Sequence, residues 1–122
     1  MKKTLYIVIA TFLFASSVYA TTYYVRKDGN NFCNGTVNAG GSSGDCGWLT
    51  ISYAESQISR GDIVRVQSGT YDETVTINVA NSGSTLVTFV GEGVTQLILR
   101  KFAISGVSYV RIINFGMVYA YI

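Results

Sequence analysis

The sequence contains no proline and no histidine, only two cysteines, and few charged residues. Without histidine, two thiols alone do not complete a tetrahedral metal site, so a zinc centre is not expected. The absence of proline, together with thirteen glycines and many Val, Ile, Thr and Tyr residues, favours strands joined by glycine turns. We therefore expect an all-β domain with little helix.

The N-terminal apolar run, Leu5 to Ala15, is too short for a stable membrane span. It follows Lys2 and Lys3 and precedes residues 18–20, where small side chains mark a signal-peptidase site. Residues 1–20 are predicted to be a signal peptide, with an uncleaved membrane anchor as the alternative. We expect a mature chain starting at Thr21 that is secreted, periplasmic or at the cell surface, without stable membrane insertion.

The predicted mature chain has almost no net charge. Without Lys2 and Lys3, seven basic residues remain against seven acidic ones. A chain of that balance has no net positive charge with which to attract nucleic acid or an anionic membrane. Neither nucleic acid nor an anionic membrane is therefore expected as a partner.

A repeat of apolar pairs organises the second half of the chain, with a constant step of about 23 residues, a length typical of repeat architectures. The pairs are Val64 and Val66, Val87 and Phe89, and Val110 and Ile112. They flank the polar residues Arg65, Thr88 and Arg111, as in strands with one buried face. A constant step between such strands predicts stacked coils, each covering the apolar face of the next.

A second set of apolar pairs repeats with nearly the same step. Val75 and Ile77 precede Leu97 and Leu99 at a slightly shorter spacing, and a third coil would use Val118, Ala120 and Ile122. The sequence thus predicts a solenoid of about two and a half coils of roughly 23 residues over residues 61–122, incomplete at its C-terminus. A β-sandwich of short strands is the alternative, because it would also alternate.

Residues 21–60 are predicted to form an N-terminal cap. A β-prone segment from Thr22 to Val25 leads into a Gly, Asn and Ser-rich loop that an exported protein would close with a Cys33 to Cys46 disulfide; two unpaired thiols are the alternative. The capping-box spacing of Ser52 and Glu55 predicts a short amphipathic helix from about Ser52 to Ser59. That helix could cover the open end of the stacked coils.

Several short motifs occur together in one order along the chain. They are residues 23–25 before Asp28 and Gly29, residues 48–51 before Ala54, residues 61–66, residues 68–71 with Glu73, and Ser82 and Gly83 before residues 87–89. Together they resemble the N-terminal region of secreted right-handed parallel β-helix proteins of the pectin lyase-like superfamily. The resemblance implies a truncated β-helix whose catalytic residues, and any calcium site, belong to later coils. No cofactor is therefore expected here.

The acidic residues are scattered, and the only adjacent pair, Asp72 and Glu73, would point to opposite faces of an extended chain. No catalytic residue is therefore expected.

Arg65 and Arg111, on one outward ladder about 10 Å apart, are candidates to bind an acidic polysaccharide; a solvated face is the alternative. Two functions stay open: part of an exported β-helix that binds or processes polysaccharide, or a non-enzymatic surface or adhesin-type scaffold.

Overall fold

A computed structural model describes residues 19–78, 85–106 and 109–117. The described elements are β1 (Thr22–Val25), α1 (Ile51–Gln57), β2 (Ile63–Ile77), β3 (Val87–Ile104), β4 (Val110–Ile113) and β5 (Gly116–Met117). Strands dominate and the one described helix is short, so the all-β prediction is confirmed. The proposed third-coil positions Val118, Ala120 and Ile122 lie outside the described residues.

All pairings between the described strands are parallel. β1, β2, β3 and β4 lie side by side in chain order, and β5 pairs with the second half of β3. A sandwich of the immunoglobulin type is built from antiparallel strands, so this pairing does not fit the sandwich alternative. From β2 to β4, each strand instead pairs with the strand that precedes it in the sequence, and β5 pairs with β3.

The core is filled from one face of these strands. Val64, Val66, Val87 and Phe89 are all at most 1% exposed. The rings of Phe89 and Phe102 are 5.7 Å apart, although a fully extended strand between these two positions would span about 43 Å. The path of β3 must therefore bend back between these two residues, which brings both halves of the strand around one core.

The predicted step holds between β3 and β4 but not between β2 and β3. Val87 pairs with Val110, as predicted. Val64, however, pairs with Phe89 rather than with Val87, so the step between these two strands is longer than predicted. Alternation has a period of two, so a shift from Val87 to Phe89 leaves the same side chains inside and cannot be detected in the apolar pattern.

The prediction for the second apolar pairs was also wrong. Val75 pairs with Phe102, and Leu97 pairs instead with Gly69. The register between β2 and β3 shifts twice, between Gln67 and Gly69 and again between Tyr71 and Thr74. Each such irregularity places extra residues in one of the two strands. It changes the number of residues between paired positions but leaves the alternation of apolar and polar residues visible in the sequence.

The predicted helix is present but begins and ends earlier. Thr50, not Ser52, is the N-cap, and its hydroxyl accepts a hydrogen bond from the Tyr53 N–H at 3.2 Å. Asn31 holds this start in place, because its side-chain oxygen accepts from the Thr50 N–H at 3.3 Å. The helix ends at Gln57, since Ile58 turns into an extended conformation and is buried.

The side chains predicted to form a capping box bind β2 and the residue after it instead. The backbone N–H and the hydroxyl of Ser52 donate to Glu73 at 2.6 and 2.8 Å. Glu55 accepts from the Asn78 N–H at 2.6 Å. β1 pairs with the start of β2 on the side opposite β3, and the helix is joined to Glu73 and Asn78 at the other end of β2. Part of that edge of β2 is therefore already paired within the chain.

The predicted disulfide between Cys33 and Cys46 is confirmed, with the two Cα atoms 5.1 Å apart. It closes a loop against which Trp48 is buried, and the indole N–H donates to the Cys33 carbonyl at 2.8 Å. Tyr23 stacks on the indole at 4.8 Å and Tyr53 meets it edge-on at 5.6 Å. The loop thus supplies part of the core between β1 and the helix.

We predict that the Cys33→Ser, Cys46→Ser double variant loses about 3 kcal/mol of unfolding free energy, because its unfolded chain is no longer cross-linked. Trp48 is the single tryptophan and lies against the loop, so its fluorescence in a urea titration reports the change. A thiol reductant should destabilise the native protein by a similar amount and leave the variant unaffected. Equal stability of native and variant protein would contradict the role assigned to the bridge.

Candidate functional site

The face of the sheet opposite the core carries most of the polar side chains of β1 to β4. Successive residues of a strand point to opposite faces, so the neighbours of buried residues lie on this side. We call it the outward face. Its members are Tyr24, Arg65, Gln67, Thr88, Glu92 and Arg111.

Glu92 is the centre of the hydrogen bonding on the outward face. One of its carboxylate oxygens forms an ion pair with the Arg65 guanidinium, and the other accepts from the Gln67 side-chain amide at 2.8 Å. Both donors lie on β2, and Glu92 lies on β3, where it pairs with Gln67. The bridge holds three planar polar groups in fixed positions across two strands.

The predicted ladder of Arg65, Thr88 and Arg111 is not a single column. Thr88 and Arg111 are paired neighbours, but Arg65 pairs with Val90. The two arginines lie on one face, two strands apart, and Arg65 is offset from Arg111 along the strand direction by the separation of Val90 from Thr88. At the usual strand spacings, this places their Cα atoms about 12 Å apart. Only Arg65 is joined to Glu92, so the two guanidinium groups have different surroundings.

A surface groove of about 290 Å³ adjoins the outward face at Gln67. Its lining residues are Arg26, Lys27, Asp28, Gln67 and Ser68. Arg26 donates twice to the Asp28 carboxylate, at 2.8 and 3.0 Å, and also to the Asn38 side-chain oxygen at 2.8 Å. This pairing raises the pKa of Arg26 and lowers the pKa of Asp28, so both groups stay charged.

Lys27 lies in the groove with its ammonium group 4.9 Å from the centre of the Tyr71 ring. Gly69 makes this position available, because a Cβ atom there would be 2.7 Å from the Cγ of Lys27. The ring itself is buried, and its hydroxyl donates to the Gln67 carbonyl at 3.0 Å. A cation above a ring face is held by the ring quadrupole, so this contact keeps the Lys27 charge at the wall of the groove.

The sequence patterns predicted neither the groove nor the role of Glu92 as the centre of the outward face. Arg26 and Asp28 alternate with Lys27, a spacing that places both side chains on one face of an extended chain, and this signal was available. The Glu92 bridge offered no such signal. Its partner Arg65 is far away in the sequence, and the predicted step aligned Arg65 with Thr88 instead.

The acidic side chains take part mainly in structural hydrogen bonds. Asp45 accepts from the Asn34 side chain, Glu55 and Glu73 accept from backbone N–H groups, and Asp62 accepts from two of them. Among the described residues, no three potential metal-ligating side chains lie together. These four carboxylates therefore serve to hold backbone segments and side chains of the fold together.

The chain matches no protein-family model, and no curated protein or solved structure matches it. Within the described ranges, no helix has both the length and the apolar character needed to cross a bilayer.

Tyr71 gives this region a measurable pH dependence. Burial raises the pKa of its phenol, and the nearby negative charge of Glu73 raises it further. In the unfolded chain the phenol ionises near its usual value of about 10. Above that pH the unfolded state releases the phenol proton while the folded state keeps it, so a rise in pH favours unfolding. The contribution of Tyr71 to stability is therefore complete below pH 10 and is lost as the pH rises above it.

We predict that Tyr71→Phe weakens the fall in unfolding free energy between pH 9 and pH 11, measured by urea titration. At neutral pH the variant should lose about 1 kcal/mol, the usual contribution of a hydrogen bond such as the one to Gln67. Tyr109→Phe is the matched control, since Tyr109 is 52% exposed. An identical pH profile in native protein and Tyr71→Phe would show that this phenol does not titrate with unfolding.

Proposed function

We propose that this chain is the N-terminal capping and first-coil portion of an exported right-handed parallel β-helix protein, and that its outward face binds polysaccharide. The observation that carries the proposal is the parallel pairing of consecutive strands in chain order, with β3 bending around the core. In a stack of coils, each strand pairs in parallel with the equivalent strand of the coil before it. The parallel pairing of β1 to β4 in chain order is the pairing that such a stack requires. The handedness comes from the resemblance to the pectin lyase-like superfamily.

Export is supported by two independent features. The sequence of residues 1–20 has the charge, apolar run and small residues of a leader. The Cys33 to Cys46 disulfide is of a kind that persists in oxidising compartments. Polysaccharides of cell walls and capsules are found in the same compartments.

The polysaccharide ligand is inferred from the chemistry of the outward face. Arg65, Gln67 and Glu92 present donors and acceptors at fixed positions on paired strands, as sugar hydroxyl groups require. Tyr24, which pairs with Arg65, adds an aromatic ring on the same face. Arg111, which is exposed, could pair with a uronate carboxylate, and this favours an acidic polysaccharide.

The alternative is a non-enzymatic surface or adhesin-type scaffold. It is supported by the use of Glu55, Glu73 and Asp62 as acceptors for backbone N–H groups, since these carboxylates hold elements together. In that case the polar groups of the outward face would serve solubility and prevent edge pairing. The two functions differ in whether the face has affinity for a sugar polymer.

Calorimetric titration with polygalacturonate distinguishes polysaccharide binding from the scaffold alternative. The protein for this titration is secreted and processed by a bacterial host. We predict that Arg111→Ala weakens binding about fivefold, the effect of losing roughly 1 kcal/mol of charge pairing. Gln67→Ala should weaken binding of both polygalacturonate and a neutral glucan, because it removes a hydrogen-bonding group from the face. Lys101→Ala is the matched control, since it removes the same charge from the second half of β3.

Unchanged binding in an Arg65→Ala, Arg111→Ala double variant would exclude the outward face as the binding site. Native protein that binds neither polymer would favour the scaffold alternative. Circular dichroism of each variant should match that of the native protein, because the substituted side chains lie outside the core.

A further inference from the structure

Asp62 is a charged side chain that is buried, at 5% exposure. It lies at the turn between α1 and β2. One carboxylate oxygen accepts from the Ser59 N–H at 2.8 Å, and the other accepts from the backbone nitrogen of Thr21 at 3.0 Å. A buried carboxylate is costly unless it is paired, and neutral N–H donors compensate its charge only in part.

Thr21 is also the residue expected to become the N-terminus. Residues 18–20 carry the small-residue signature of a signal-peptidase site. Tyr19 and Ala20 are exposed, whereas Thr21 is half-buried, so the peptide bond between Ala20 and Thr21 lies where the chain enters the fold. The nitrogen that this cleavage would release is the nitrogen that Asp62 already contacts.

We propose that removal of the leader after Ala20 creates an ion pair between the α-ammonium group of Thr21 and the carboxylate of Asp62, and so stabilises the mature fold. This inference rests on the export signal in the proposed function. In the hydrolysis, the oxygen of water bonds to the Ala20 carbonyl carbon, the carbon–nitrogen bond breaks, and the nitrogen of Thr21 becomes an amine. The amine takes up a proton at neutral pH, because α-amino groups have a pKa of about 7.7–8.0.

The backbone around Asp62 fixes the carboxylate in this position. The Asp62 N–H donates to the Ser59 carbonyl at 3.2 Å, and its backbone oxygen accepts from the Thr88 N–H at 3.1 Å, which places β3 against the same turn. Thr21 is held in turn by its carbonyl, which accepts from the Ile63 N–H at 2.9 Å. The new ammonium would therefore contact the carboxylate without rearrangement, and the ion pair would join β1 to the turn before β2.

The test compares processed protein with the same protein acetylated at its α-amine near pH 6.5, in native and Asp62→Asn backgrounds. Mass spectrometry first establishes the N-terminus. In the native background acetylation should raise the unfolding equilibrium constant about tenfold. This is the change expected when the pKa of the α-amine differs by one unit between the folded and the unfolded chain. In Asp62→Asn it should change that constant less than twofold. Equal effects in the two backgrounds would overturn the proposal.

A second measurement does not depend on whether Asp62→Asn folds. In the native background, the advantage of the free amine should shrink between 0.05 and 1 M NaCl, because salt screens an ion pair that is partly exposed at Thr21. An advantage independent of salt would indicate a steric effect of the acetyl group and would count against the ion pair. A chain that is exported but cut at another bond would refute this inference alone, whereas a chain that is not exported would refute the export in the proposed function.

Discussion

The contacts of Asp62 set the alignment on which the rest of the structure depends. Its carboxylate accepts from Thr21 and Ser59, and its backbone oxygen accepts from Thr88. One residue thus joins the start of β1, the exit of α1, the start of β2 and the start of β3. Loss of the carboxylate would leave N–H groups without partners, at a cost of about 1–3 kcal/mol for each buried one.

This alignment decides which side chains meet on both faces of the sheet. With Thr88 held against Asp62, Val64 lies beside Phe89 in the core, and Arg65 lies beside Val90 on the outward face. Further along the two strands, Gln67 meets Glu92, and the bridge to Arg65 follows. The polar arrangement proposed to bind polysaccharide is therefore a consequence of a register fixed at the start of the strands.

The strand content, the disulfide and the face to which most side chains point could be predicted from the sequence. These properties depend on local periodicity and on cysteine chemistry, which are visible in one chain. The pairing of Val64 with Phe89 and the bulges near Gly69 could not be predicted in this way, because a shift by one full period of the strand preserves alternation. The helix start at Thr50 depended on Asn31, a contact between segments far apart in the sequence.

The most direct test of this account is the register between β2 and β3, observed by nuclear Overhauser contacts between backbone protons in solution. The alignment through Asp62 predicts inter-strand contacts between Arg65 and Val90. Contacts between Arg65 and Thr88 would instead restore the constant step predicted from the apolar pairs. They would contradict the register from which the Glu92 bridge and the outward face are derived.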